Sequence, residues 1–384
     1  MTRRVLIAGG GTAGHVFPAI AVARELTVLA PDIEPVFVGV ADRLEAELVP
    51  AAGFRLHHVE AVAIPRKLSP ALLRVPGGVR AAVRRCEAIA EEEQAEGVVT
   101  FGGYVSFPVS WAASRRGLPL VIHEQNAVPG LANRVASRWA DRIAVTVPGS
   151  ADRFRHAERT AVTGNPVRDE VLGLDLAARR DAARERFGLD ADRPTVLVFG
   201  GSQGARRINQ AVVGAHGRWA SGDVQVLHAA GHRLVEETAA AWERVHANTP
   251  DGPPVRVVDF IDSMADAYAA ADVVVCRAGA TTIAELTVLG IPAVLIPYPH
   301  ATGDHQARNA EALAAAGGAV VIPDEELDAD SLVAAAEPLL HDPERHRTVA
   351  AAARAFGRPD AAANVARLLL DLLPSTERDL GATS

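Results

Sequence analysis

Residues 5–11 read VLIAGGG and residues 196–202 read VLVFGGS, two apolar runs that each end in glycines and pass into a helical pattern. Each stands at the head of one half of the 384-residue chain. A strand that is apolar at nearly every residue has both faces covered, which is the mark of a parallel sheet. Further short runs of this kind follow the first, at 36–40, 98–101, 120–123 and 143–147. In the second half they fall at 224–227, 255–260, 273–276, 293–297 and 319–322. Amphipathic stretches separate them, so the fold class is α/β, with two doubly wound Rossmann-like domains. Gly164, Asn165 and Pro166 in TGNPVR (163–168) break regular structure and mark the junction. The first domain is placed at 1–164 and the second at 165–357, with a closing helix over 358–374. Open α/β sheets bind ligands beyond the carboxyl ends of their strands, so two such domains facing each other form one cleft.

Composition narrows the partners. Hydrophobic residues make up 49% of the chain and charged residues 22%, as in an ordinary folded protein. A net charge of −8 argues against nucleic acid. Cys86 and Cys276 have neither metal spacing nor a disulfide pattern, which fits a reduced cytoplasm. The apolar run Val5–Ala8 is too short for an export signal, and no run reaches the roughly 18 residues of a membrane span. The expectation is a soluble protein that can still touch a membrane surface.

The loop Gly9-Gly10-Gly11-Thr12-Ala13-Gly14 matches G-x-G-x-x-G, which raises a nicotinamide- or flavin-dependent oxidoreductase as a rival reading. That fingerprint also wants an acid at the end of the second strand, and here the strand ends Val38-Gly39-Val40. His15 follows in the first helical turn, where the positive helix end keeps imidazole neutral and able to act as a general base. The plainer alternative is a histidine bonded to nearby backbone. His123-Glu124-Gln125-Asn126 and Gly102-Gly103-Tyr104-Val105-Ser106 put polar groups at two further strand ends, where a ligand face is expected.

In the second half, Gly201-Ser202-Gln203-Gly204 suits phosphate oxygens, and Arg168 could reach a diphosphate. In DVVVCRAGATTIAELTVLG (272–290), the small residues Gly279, Ala280, Thr281 and Thr282 allow a diphosphate close approach to a helix N-terminus. Glu285 has two readings. Thr282-Ile283-Ala284-Glu285 is a capping box, but a helix starting earlier would leave the carboxylate to accept ribose hydroxyls. The loop YPHATGDHQ (298–306) looks suited to a sugar, and His300, Asp304 and His305 lack further ligands for a metal. Asp190-Ala191-Asp192 and Asp328-Ala329-Asp330 lie away from strand ends and read as loop and helix-start chemistry. Ile64, Arg66, Lys67, Leu68, Leu72, Leu73 and Arg74 open a stretch to Arg85 with six basic residues and no acidic one. Such a stretch suits an anionic bilayer surface or, equally, a solvated helix over core leucines.

Taken in order, GGGTAGHVFPAIAVA, ADRLEAELVP, FGGYVSFP, HEQNAVPGLANR, TGNPVR, GGSQGARRIN, VVVCRAGATTIAEL and HATGDHQARNA resemble the MurG family. These are the peripheral membrane N-acetylglucosaminyltransferases of peptidoglycan synthesis, in glycosyltransferase family 28. The resemblance implies a GT-B fold whose first domain takes a lipid-linked muramyl-pentapeptide acceptor and whose second takes UDP-N-acetylglucosamine. It also implies that the closing helix packs back on the first domain, and that the protein works at the cytoplasmic face of the membrane. By the same resemblance, Arg168, Ser202, Gly279–Thr282 and Glu285 hold the diphosphate and ribose, and the backbone at Ile261 reads the uracil. Thr12, Ala13, Gly14, Asn126, His305 and Gln306 surround the sugar. The family's first loop often reads GGTGGH where this chain has Ala13, which would strain the turn if that position needs a positive φ. The implied reaction is inverting transfer to the muramyl 4-hydroxyl, with His15, or else Glu124, as base. No tightly bound cofactor is expected, and a divalent cation is not implied.

Overall fold

The computed structural model describes residues 2–60, 75–219, 223–250 and 252–374. The basic stretch Ile64–Arg74 therefore lies outside the described residues. The chain divides into two compact units, Met1–Val167 with Pro359–Ser384, and Arg168–Arg358.

In the first unit the order is β1 (Arg3–Ala8), α1 (Ala13–Leu29), β2 (Ile33–Gly39), α2 (Glu45–Ala51), β3 (Arg55–His58) and α3 (Val75–Glu92). It continues with β4 (Ala95–Thr100), α4 (Ser106–Arg116), β5 (Leu120–Glu124), α5 (Leu131–Ala136), β6 (Arg142–Val145) and β7 (Thr160–Val162). The second unit runs α6 (Asp169–Leu172), α7 (Leu176–Phe187), β8 (Thr195–Phe199), α8 (Arg206–Gly214), β9 (Gln225–Ala229), α9 (Val235–Asn248) and β10 (Val255–Val258). Then come α10 (Met264–Ala270), β11 (Val273–Cys276), α11 (Ala280–Leu289), β12 (Ala293–Leu295), α12 (His305–Ala315), β13 (Val320–Val321), α13 (Ala329–His341) and α14 (Pro343–Phe356). The last helix, α15 (Ala361–Leu370), belongs to the first unit.

Both sheets are parallel throughout, ordered β3-β2-β1-β4-β5-β6-β7 and β10-β9-β8-β11-β12-β13. This is the doubly wound α/β class that the apolar runs predicted, and the central strands fall on those runs. Two edge strands were not foreseen. RLHH in β3 and TAV in β7 have only one neighbouring strand and stay partly exposed, so neither needs an apolar sequence.

The first sheet is covered by α3 and α4 on one face and by α1 and α15 on the other. Ala362, Val365, Ala366 and Leu369 of α15 are buried in the same cluster as Val16, Ala19 and Ala23 of α1. Gly97 in β4 makes room for this helix, because an ideal Cβ there would stand 2.8 Å from Leu373 Cδ2 and 3.0 Å from Leu369 Cδ1. The second sheet buries Val196, Val198, Val273, Val275 and Val294 beneath helices that include α8 and α13. Both cysteines are fully buried, Cys86 in α3 and Cys276 at the end of β11. Burial pushes the Cys86 thiol up to about 12 and raises that of Cys276 further. The two D-x-D triplets do what loops and helix starts require: Asp190 accepts from Asp192 N and Arg193 N, and Asp328 caps α13 through Ser331 N.

Candidate functional site

The glycine-rich and polar loops read as ligand-facing in the sequence lie at the carboxyl edges of the two sheets. In the first unit β1, β4 and β5 are neighbours, so the loops after them lie side by side. The glycine loop turns through Gly11, whose φ of +85° only glycine adopts at little cost. Thr12 is the N-cap of α1 and Ala13 its first helical residue, so Ala13 needs no positive φ and sits where alanine is favoured. The strain considered for this substitution does not arise.

His15 lies in that first turn. Its Nδ1 is 3.1 Å from the Gly10 carbonyl oxygen and 3.1 Å from Thr12 Oγ1. A carbonyl only accepts, so the contact with Gly10 requires the proton on Nδ1 and leaves the lone pair on Nε2. Beside Nε2 stands Gly102 with φ +93°, and an ideal Cβ on it would be 3.0 Å from that nitrogen. Backbone bonding, the plainer of the two readings drawn from sequence, is thus present, and it is compatible with the other.

The residues after β5 look inward more than their polarity suggested. His123 is fully buried and donates from Nε2 to Gly164 O at 3.0 Å. Gln125 donates to Phe101 O at 2.6 Å. Glu124 is buried and its carboxylate accepts from Asn126 N and Nδ2, Gly130 N and Asn133 Nδ2, at 3.0, 3.3, 3.1 and 2.9 Å. Burial raises its pKa, against the pull of those donors. This geometry makes Glu124 the organiser of the 125–133 loop. Asn126 is half-buried, with its side-chain amide turned toward Glu124.

Sequence reasoning passed over Glu45. It opens α2 and is 1% exposed. Its Oε2 accepts from Gly11 N at 2.9 Å and its Oε1 from Val40 N at 3.1 Å. An ideal Cβ on Gly10 would collide with its carboxylate, and one on Gly39 would lie 2.7 Å from its Cγ. The glycine loop so resembling a dinucleotide cradle already holds a carboxylate on one of its amides. The only available signal was ADRLEAELVP itself, a charged stretch 34 residues from its contact.

In the second unit β8, β11 and β12 are neighbours, which puts the loops holding Ser202, Gly279 and His305 at one edge. Helix α11 begins at Ala280 with Gly279 as N-cap and no side-chain cap. Thr282 is therefore inside the helix, and the capping-box reading of Glu285 fails. The carboxylate is instead buried, 3% exposed. Its Oε1 receives Arg168 Nε at 2.9 Å and lies 2.8 Å from Nη2, while Tyr268 donates to Oε2 at 2.8 Å. Arg168 also pairs with Glu170 at 3.0 Å. Burial raises the Glu285 pKa and Arg168 opposes it; burial works against the arginine charge, but Glu285 and Glu170 prevail and raise its pKa. Tyr268 is a second residue the sequence did not point to.

The remaining predicted residues are spread along the same edge. Ser202 is exposed in a loop turned by Gly201 (φ +87°) and Gly204 (φ +77°), and its carbonyl accepts from His232 N. Ile261 is buried just past β10. His305 starts α12 half-buried; burial lowers its pKa, against Asp304. Gln306 Oε1 accepts from Tyr298 N at 2.9 Å. Arg277 ties this edge together, donating to Ile296 O and Pro297 O and pairing with Asp324 at 2.6 Å. Among the described residues no cluster of three or more His, Cys, Asp or Glu side chains could hold a metal.

Known proteins match most of the chain. Residues 5–145 match the glycosyltransferase family 28 N-terminal domain and residues 195–365 its C-terminal domain. A Nocardioides protein named UDP-N-acetylglucosamine–N-acetylmuramyl-(pentapeptide) pyrophosphoryl-undecaprenol N-acetylglucosamine transferase is 47% identical, covering 96% of this chain and 98% of that one. The chain belongs to glycosyltransferase family 28. An Acidothermus cellulolyticus protein of the same name is 46% identical, covering 95% of this chain and 96% of its own. The crystal structure of Acinetobacter baumannii MurG superposes with a TM-score of 0.76 at 29% identity, covering 96% of this chain and 99% of that one. As a family 28 member with two Rossmann-like domains of GT-B type, the chain is a hexosyltransferase, and the oxidoreductase reading falls.

His123 makes this family 28 chain acid-sensitive. Burial lowers its pKa to about 4 from the ordinary 6.5, with the Gly164 bond opposing. A depressed histidine contributes stability that is fully present above 6.5 and lost as pH falls through 4. Urea unfolding at pH 7 and pH 4 should show about 3 kcal/mol of loss from this group. His123→Gln, which keeps a donor for Gly164 O, should lose correspondingly less, and an identical pH dependence would refute the assignment.

Proposed function

We infer that the chain moves N-acetylglucosamine from UDP-N-acetylglucosamine to the 4-hydroxyl of the muramyl residue in undecaprenyl-diphospho-muramyl-pentapeptide, converting lipid I to lipid II. The observation that carries this is the 47% identity, over 96% of the chain, with a transferase of that name.

The acceptor is activated in the first unit. Its 4-hydroxyl oxygen attacks C1 of the donor sugar from the face opposite UDP and gives its proton to His15 Nε2. The C1–O bond to the β-phosphate breaks, the electron pair leaves with UDP, and the product is a β-1,4 glycoside. The Nδ1–H···O=C bond to Gly10 supports this role, since it leaves Nε2 as the basic atom. Glu124, with four internal donors, keeps the neighbouring loop and Asn126 in place.

The donor is held in the second unit. The diphosphate lies at the N-terminus of α11, whose first amides have no side-chain cap and whose dipole favours an anion. Arg168 exchanges Glu285 for the diphosphate. That exchange frees Glu285 Oε1 for one ribose hydroxyl, and the remaining lone pair of Oε2 takes the other. Ser202 joins the phosphate contacts, the backbone at Ile261 reads the uracil, and Thr12, Ala13, Gly14, His305 and Gln306 border the sugar. Donors fixed where negative charge develops lower the barrier without reorganising.

The protein works peripherally on an anionic, cytoplasmic membrane face, docking through Ile64, Arg66, Lys67, Leu68, Leu72, Leu73 and Arg74. The acidic chain's local inversion of charge supports this, and no helix among the described residues is long and apolar enough to cross a membrane.

With radiolabelled UDP-N-acetylglucosamine, UDP release should require the lipid-linked acceptor; release regardless of acceptor would overturn the transferase reading. His15→Ala should lower kcat about 10²–10⁴-fold with donor KM little changed, and near-normal kcat would remove the base assignment. Glutamates at Arg66, Lys67 and Arg74 should release the protein from phosphatidylglycerol vesicles in co-sedimentation, and unaltered binding would rule the patch out.

A further inference from the structure

His15 is held from behind by a carboxylate that never touches it. The Gly10 carbonyl, which accepts from His15 Nδ1, and the Gly11 N–H, which donates to Glu45 Oε2 at 2.9 Å, belong to the same planar peptide group. In a trans peptide these two groups point in opposite directions. Glu45, the peptide and the imidazole therefore form one line of two hydrogen bonds. We propose that Glu45 is a positioning residue that sets the tautomer of His15 through the Gly10–Gly11 peptide. This extends the reading of His15 as the base and rests on it for its bearing on catalysis.

Glu45 is 1% exposed, so its charge acts through a low dielectric, and hydrogen bonds in series polarise one another. A carboxylate drawing on the N–H makes the Gly10 carbonyl a stronger acceptor and favours Nδ1–H on the ring.

A hydroxyl competes for the same ring nitrogen. Thr12 Oγ1 is also 3.1 Å from Nδ1, and a hydroxyl can either accept from Nδ1–H or donate to a bare Nδ1. In the latter case the proton sits on Nε2, which is then no longer the basic atom, and the lone pair of Nδ1 faces the Gly10 carbonyl. Glu45 tips the balance against that state.

Glu45 lies in the first turn of α2, where a helix favours an anion, and its second oxygen is anchored by Val40 N at 3.1 Å. Gly10 and Gly39 both leave the space that it fills. On the far side Gly103 packs against the Gly10 carbonyl so closely that only glycine fits. The peptide is thus fixed from both ends.

The test uses the full chain with ¹⁵N-labelled histidine, the His15 signals being assigned by their loss in His15→Gln. The native ring should show protonated Nδ1 and unprotonated Nε2. Glu45→Gln should shift population toward protonated Nε2 and lower kcat about tenfold or more, with donor KM unchanged. Glu45→Asp, which keeps the charge, should recover part of both, and it carries the test if Glu45→Gln does not fold. Adding Thr12→Val to Glu45→Gln removes the competing hydroxyl and should return the proton to Nδ1. A folded Glu45→Gln protein with the native tautomer ratio would overturn the proposal, as would a Glu45→Asp protein that loses turnover while keeping that ratio. Should His15→Ala retain turnover, the base assignment fails, while the nitrogen shifts still decide whether Glu45 governs the ring.

Discussion

A parallel strand covered on both faces can present polar chemistry only where it stops, and both units obey that constraint. Their sheets are walled by helices, so the groups with a use cluster in the turns after β1, β4 and β5, and after β8, β11 and β12. At those turns the backbone supplies as much as the side chains. After β1, β4, β8 and β12 glycines with positive φ let the chain reverse, and a helix start presents amides that no earlier turn takes up.

The two units use this common geometry for opposite ends. In the second, the start of α11 is left without a side-chain cap and an arginine stands near, both suited to an anion. In the first, the amide of the glycine loop is already taken by Glu45 and the charge there is negative. The glycine loop of the first unit therefore has an amide held by a carboxylate, while the start of α11 in the second has no side-chain cap. A buried carboxylate with two amide donors makes the difference.

Much of this could be read from the chain alone. The central strands were legible because two-sided burial forces apolar residues at every position. The edge strands β3 and β7 were not, since exposure frees their sequence from that demand. The loops were legible as places, because glycine and polar residues at strand ends have few other uses. What each side chain does there was less so. Glu285 depended on where α11 begins, and Gly279 settles it with φ −68° and ψ 141° at the N-cap. His123, Glu124 and Gln125 read as outward-facing, yet His123 and Gln125 bond to backbone carbonyls 41 and 24 residues away, and Glu124 to the loop that follows it. Glu45 and Tyr268 were silent because their meaning lies in contacts 34 and 17 residues away.

The fate of the sulfur atoms has a practical side. Cys86 and Cys276 are sealed in the core with thiols that stay protonated far above neutral pH, and the chain has no others. Maleimides and thiol-reactive nitroxides are electrophiles that a thiolate must attack, so the native fold offers them no partner. A fluorophore or spin label attached to a cysteine introduced on the surface would report from that position alone, with no need to strip out the natural ones first.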